Sequence, residues 1–155
     1  MSDAHPHAAA ARIAKRDGAA ALGIDPAYID RLVEQFYAKV RGDPVLGPIF
    51  AARITDWGSH LARMKQFWGS VLLGDATFHG NPMAKHVAIP QIDAFHFKRW
   101  LVLFRATLRD LEGETAATAV VAARAEAIAD SLLTGIRIHR DGRSDIDAMK
   151  GLRHA

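Results

Sequence analysis

Apolar residues in the middle of the chain recur at three- and four-residue steps, and this spacing constrains the fold more than any other feature. The first such segment opens at Asp25-Pro26, an N-cap residue followed by proline at the first helical position. One helical face of this segment collects Ile29, Leu32, Val33, Phe36, Tyr37 and Val40. Strand-like alternation does not extend over any useful length. The sequence therefore predicts an all-α fold.

Three further long helices follow the first, which Gly42 ends. They are predicted from after Thr55 to Gly74, from about Ile92 to Leu111 and from about Glu114 to Ile138. A short segment runs from Asp43-Pro44 to Phe50, and the irregular stretch 75–90 admits a single turn around 83–87. The residues predicted to face inward on the helix from Ile92 to Leu111 are Phe95, Trp100, Phe104, Leu108 and Leu111. The last helix is Ala-rich and contains Val120, Val121, Ile128, Leu132 and Ile136.

The two ends of the chain differ from its middle in composition. Residues 1–23 are Ala-rich and low in large apolar groups, so they favour a helix but offer little to anchor it. The tail, residues 141–155, mixes glycines with charges. We expect a flexible leader, one domain over residues 24–140 and a flexible tail.

Composition excludes several function classes. The chain has no cysteine, which rules out disulfides, thiolate metal sites and cysteine nucleophiles. Its net charge of +3 is spread along the sequence, so nucleic acid is not an expected partner. No apolar stretch approaches the roughly 20 residues of a membrane-spanning helix. We therefore expect a cytoplasmic protein that does not associate with membranes.

Four polar side chains stand out, three of them at predicted inner positions of long helices. His86 lies on the short turn between two prolines, where an imidazole is well placed to bind a metal. His60, Tyr37 and Trp100 each place a polar group on the apolar face of a long helix, where it needs a partner. Taken singly, each is better explained as a core or loop residue bonded to a neighbour. Together, a fixed imidazole and several donors among aromatic rings suit a flat apolar macrocycle that carries iron.

A zinc site is a poor alternative, because no second histidine or carboxylate has ligand spacing to His86. The residue pattern by itself thus predicts a helical domain that binds a cofactor.

Several short motifs also occur in an order and spacing typical of a known family. They are Phe36-Tyr37, Val40-Arg41, Asp43-Pro44-Val45-Leu46-Gly47-Pro48-Ile49-Phe50, Trp57-x-x-His60, Phe67-Trp68, Leu72-Leu73-Gly74, Gly80-Asn81-Pro82-x-x-x-His86 and the run from Phe97 through Trp100 to Phe104. In these motifs, residues 25 to 135 resemble the truncated haemoglobins, and most of all their third group.

The resemblance implies a shortened globin in which two helix pairs sandwich a b-type haem in a two-over-two arrangement. His86 would be the proximal iron ligand, with Tyr37 and Trp100 as distal hydrogen-bond donors and His60 at the gating position of the distal helix. Arg63 would pair with a haem propionate, and Lys85 and Arg99 are rivals for that role. The further predicted haem contacts are Phe50, Met64 and Phe67.

Three functions follow as alternatives. The first is binding of oxygen, nitric oxide, carbon monoxide or peroxide, with slow release that suits scavenging or detoxification better than delivery. The second makes peroxidase or nitric oxide dioxygenase turnover the main role, with electrons from an unidentified reductase. The third is a haem-free helical interaction module in which the aromatic residues are only core.

Overall fold

The computed structural model describes the backbone of residues 6–153 and the side chains of residues 8–142. Within that part the chain forms seven α-helices and no strand, which confirms the all-α prediction. The helices are α1 (Pro6–Ala21), α2 (Pro26–Gly42), α3 (Leu46–Arg53), α4 (Trp57–Leu73), α5 (Pro82–Val87), α6 (Ala94–Glu112) and α7 (Ala116–Arg153). None of the described helices is both long and apolar enough to cross a membrane.

Local signals set most of these boundaries. The Asp25 carboxylate accepts the backbone N–H of Tyr28 at 2.8 Å and so caps the start of α2. Gly74 ends α4 in the left-handed conformation, at φ 73°, which favours glycine. Gly47 permits close packing of α3 on the end of α2, since a Cβ there would lie 2.9 Å from the Arg41 carbonyl oxygen.

Two helix pairs form the body of the molecule. Helix α2 packs against α4, α6 packs against α7, and α2 also contacts α6. Their shared core is fully buried and contains Leu32, Phe36, Phe104, Leu108 and Val121. This is the predicted two-over-two arrangement of a truncated globin.

The leader contains a helix that is anchored at its C-terminal end. Ala19 of α1 is buried, Arg16 Nη1 lies 3.3 Å from Asp75 Oδ1, and Arg12 covers Gly74. Small side chains and one ion pair make this contact, which is why the apolar pattern did not predict it. Residues 1–5 lie outside the described part.

The last helix is longer than predicted. It continues past Ile138 to Arg153, through Gly142, because one glycine inside a helix costs only about 1 kcal/mol. Flexibility of residues 1–23 and 141–155 stays a prediction.

One residue predicted to face inward points outward instead. Phe95 is 61% exposed, whereas Phe97 is buried. Five helical residues separate Phe95 from Trp100, which places them about 140° apart around the axis. Phe97, three residues before Trp100, lies on the same face as Trp100 and takes the inner position.

Candidate functional site

A cavity of about 560 Å³ lies between the helix pairs, within the size range of small-molecule and cofactor sites. Its wall combines residues of α2, α3, α4, α5, α6 and α7. All eight site residues predicted from the sequence line it: Tyr37, Phe50, His60, Arg63, Met64, Phe67, His86 and Trp100.

His86 is held by bonds within its own short helix. The Asn81 side chain caps α5 by accepting the N–H of Ala84 at 3.0 Å, and Pro82 occupies the first turn. His86 Nδ1 lies 2.6 Å from the Pro82 carbonyl oxygen. Since a carbonyl only accepts, Nδ1 carries the proton, and in the neutral ring Nε2 keeps its lone pair. A histidine fixed in this tautomer is a ready metal ligand.

His60 lies on α4, one turn after Trp57, in an aromatic enclosure. Its ring meets Tyr37 edge to face at 4.9 Å and Trp57 at 5.6 Å between centroids. Its Nε2 atom is buried without a hydrogen-bond partner. Burial lowers the pKa of His60 to about 4, and the positive charges of Arg63 and Lys85 act in the same direction. The imidazole is therefore neutral at pH 7 and has an unsatisfied nitrogen.

Tyr37 and Trp100 are both fixed by aromatic packing. The Tyr37 ring lies 4.9 Å from Phe36 and 5.8 Å from Phe50. Burial raises the pKa of Tyr37 far above its usual range, so the hydroxyl stays protonated and can donate. Trp100 stacks on Phe104 at 5.0 Å with an interplanar angle of 16°. Two potential donors thus line the cavity on well-supported rings.

Basic side chains line the solvent side of the cavity. Arg63 and Lys85, both predicted candidates for a propionate, are exposed cavity residues. Arg53 joins them and was not predicted; its Nη2 lies 3.4 Å from the Ala88 carbonyl oxygen. The rival candidate Arg99 is instead bound to Asp43, with Nε and Nη2 at 2.9 and 2.6 Å from Oδ1. That ion pair leaves Arg99 out of the cavity wall.

Other wall residues were missed as site residues. Phe97 faces His86 at 6.3 Å between ring centroids, and Ile128 and Leu132 of α7 were noted in the sequence only as apolar residues of the last helix. If the inner face of α6 had been assigned from Trp100 rather than from Phe95, Phe97 would have been predicted to face inward.

The residues present fit a haem. One imidazole with a free Nε2, one buried and unsatisfied His60 nitrogen, an apolar wall and basic side chains at the opening match a flat, apolar, iron-bearing group with acidic edges. No group of three or more metal-binding side chains occurs among the described residues, so a site built from several protein ligands is not favoured there.

A two-over-two helical body around such a cavity defines the class of haem-binding globins. The sequence pattern of the bacterial-like globin family matches residues 20–133. The chain belongs to this family and, within it, to the group III truncated haemoglobins. Membership implies haem as the cofactor.

Known proteins and structures agree with this placement. The chain is 38% identical over 105 residues to the group 3 truncated haemoglobin of Campylobacter jejuni, covering 65% of this chain and 82% of that protein. The crystal structure of a group III truncated haemoglobin from the same organism matches with a TM-score of 0.69 and 36% identity, over 73% of this chain and 91% of that one. A thermostable haemoglobin from the actinobacterium Thermobifida fusca matches with a TM-score of 0.61 and 25% identity, over 70% and 89% of the two chains.

Proposed function

We propose that this protein binds oxygen and other diatomic ligands, among them nitric oxide and carbon monoxide, at a b-type haem and releases them slowly. One observation carries the proposal: a single cavity contains an imidazole with a free Nε2 together with two ring-packed donors, Tyr37 and Trp100. The chain has no cysteine to attach the cofactor covalently, which supports a non-covalent haem.

His86 is the proposed iron ligand, through Nε2. When bound, haem supplies an iron centre that takes gas ligands and exchanges electrons. The Pro82 carbonyl fixes the orientation of the His86 ring, and the Phe97 ring lies near it, at 6.3 Å between centroids. Because Nδ1 donates to a neutral carbonyl rather than to a carboxylate, His86 remains a moderate electron donor. This favours ligand retention over peroxide turnover as the main role.

Tyr37 and Trp100 are the proposed donors to the gas ligand. A ligand that gains negative charge is stabilised by an O–H or N–H directed at it, by about 1.5–3 kcal/mol for each bond to a charged group. Their rings are held by Phe36, Phe50 and Phe104, so little ordering is needed when the ligand arrives. His60 is the proposed gate, since its neutral ring lies against Tyr37 within the same wall.

Arg63 and Lys85 are the proposed partners of the haem propionates, with Arg53 as a third. All three line the opening of the cavity and are exposed. Pairs at such a surface contribute little energy each, so their main effect is on the orientation of the haem.

The test is the oxygen dissociation rate of the haem-loaded protein, measured by stopped flow. Tyr37→Phe and Trp100→Phe should each accelerate release roughly ten- to a hundredfold, because each loses one donor to a charged group. Tyr28→Phe is the matched control, since Tyr28 is a buried tyrosine of the same helix that does not line the cavity. Unchanged release in both Tyr37→Phe and Trp100→Phe would refute the donor role.

A further inference from the structure

A buried carboxylate lies at the corner between α2 and α3. The Asp43 side chain is 3% exposed, and its Oδ2 accepts the N–H groups of Val45 at 3.1 Å and Leu46 at 2.9 Å. Its Oδ1 accepts both Nε and Nη2 of Arg99 from α6. These bonds, Arg99 first, hold the pKa of Asp43 below its usual range despite burial. All four N–H groups therefore meet an ionised carboxylate.

The two oxygens of Asp43 link three helices that line the cavity, namely α2, α3 and α6. Asp43 directly follows α2, which carries Tyr37, and its Oδ2 bonds start α3, which supplies Leu46 and Phe50. Its Oδ1 bonds hold Arg99, the residue immediately before Trp100. The corner itself has little freedom, because Gly47 already packs against the backbone of α2.

We propose that Asp43 and Arg99 are positioning residues that set the placement of Tyr37 and Trp100 relative to each other, and thereby the rate of ligand release. This inference rests on the proposed function, since it concerns the same two donors. Neither residue lines the cavity, so both act through their neighbours. Asp43 fixes the end of α2 and the start of α3, and Arg99 ties the Trp100 segment of α6 to that corner.

A second ion pair between α2 and α6 provides the matched control. Lys39 Nζ lies 2.8 Å from Asp110 Oδ2, and the side chains are 31% and 57% exposed. Neither residue lines the cavity or bonds a helix start among the described residues. Solvent-exposed pairs of this kind contribute little to stability. Both pairs thus connect α6 to α2 or to the residue that directly follows it, but they differ in burial and in their closeness to the donors.

Asp43→Asn is the main variant. Asparagine keeps an oxygen for the N–H of Leu46 but loses the charge, and Arg99, with a side chain 40% exposed, remains solvated. Arg99→Lys is the second variant, because lysine keeps the charge but has no planar pair of N–H groups. The readouts are the oxygen dissociation rate and the carbon monoxide stretching band of the haem-loaded, reduced protein. This band reports the polar surroundings of the ligand and does not follow overall stability.

We expect Asp43→Asn to accelerate oxygen release about two- to tenfold, which corresponds to one weakened hydrogen bond, and to shift or split the carbon monoxide band. Arg99→Lys should give a smaller change in the same direction. Lys39→Ala and Asp110→Asn should leave both readouts as in the unaltered protein.

Two results would overturn the inference. One is an unchanged rate and band in both Asp43→Asn and Arg99→Lys; the other is an equal effect in Lys39→Ala. Failure of the proposed function has a different signature, since Tyr37→Phe and Trp100→Phe would then leave the rate unchanged. Faster release in those two variants, with no effect at Asp43 or Arg99, removes the positioning role alone.

Discussion

The two sides of the cavity are built in opposite ways. The side that we propose to be distal carries Tyr37, His60 and Trp100 on helices of 17 to 19 residues, whose apolar faces form the main core. The side that we propose to be proximal carries His86 on a helix of six residues with no buried residue. The placement of the distal residues therefore depends on the main core, whereas the placement of His86 depends on bonds within α5 and on the packing of α5 against α7.

This difference predicts where the site is easiest to disturb. Segments with few buried contacts open at lower free energy than the core does. Helix α5 is held by the Asn81 cap, the Pro82–His86 bond and the packing of Met83 directly on Gly135 of α7. We expect changes on the proximal side to alter haem retention and changes on the distal side to alter ligand release.

The largest effect is expected for His86→Ala. Without its imidazole the cavity keeps its apolar wall but loses the proposed iron ligand, and haem affinity should fall more than about 100-fold, beyond what loss of an outer-shell partner causes. Haem transfer to an acceptor protein and the Soret spectrum measure this. Free imidazole should restore part of the spectrum, because it can occupy the space of the missing ring.

His79→Ala is the control for this experiment. His79 is an exposed histidine in the connection between α4 and α5, seven residues before His86, and it does not line the cavity. Retention of haem with an unaltered spectrum in His86→Ala would show that another residue binds the iron.

The contrast between the long helices and the short helix α5 also explains how much of each side could be predicted from the sequence. Helical periodicity reflects burial in a core, so it predicts the long distal helices and places Tyr37, His60 and Trp100 inside. Helix α5 has no such period, and Pro82 and Pro90 were the signal that confined it to a single turn. The residue pattern marked His86 as a candidate metal ligand, and the family resemblance supplied its role as the proximal one.

The residues that escaped prediction did so for two reasons. Phe97 could have been predicted from its three-residue spacing to Trp100, whereas the placement of the arginines depends on geometry that spacing does not encode. Arg99 stays out of the cavity wall because it is bound to the Asp43 carboxylate, 56 residues earlier in the chain. Arg53 lines the cavity and bonds the Ala88 carbonyl, 35 residues later. Such pairings join distant parts of the chain, and a single sequence carries no direct trace of them.

A smaller effect is expected for Asn81→Ala, which tests whether α5 is held in place by its own bonds or by the core of the protein. Asn81→Ala removes the cap of α5, and loss of an N-cap costs about 1 kcal/mol. Because α5 has no buried residue, this loss should accelerate haem dissociation roughly fivefold while leaving oxygen release nearly unchanged. Haem transfer and stopped-flow oxygen release, measured on the same samples, give the two rates.

Asp25→Ala is the counterpart on the distal side. Asp25 caps α2 in the same manner, so its loss should lower the free energy of unfolding by about 1 kcal/mol. Since seven residues of α2 are buried, that helix should keep its place, and haem dissociation should not change. Equal acceleration of haem loss in the two variants would mean that the placement of α5 depends on the core of the protein as much as the placement of α2 does.

The last prediction concerns the pH dependence of stability in the haem-free protein. The pKa of His60 is lowered from 6.5 to about 4 by burial, so the unfolded chain binds more protons than the folded one between these values. The free energy of unfolding should consequently fall as pH decreases from 6.5 towards 4. This fall should be less steep in His60→Leu, and the two slopes should differ by at most the amount that corresponds to the uptake of about one proton. Urea unfolding across this range measures both slopes. Parallel curves would show that water reaches His60 in the haem-free protein, and the distal side would then be as open as the proximal side before haem binds.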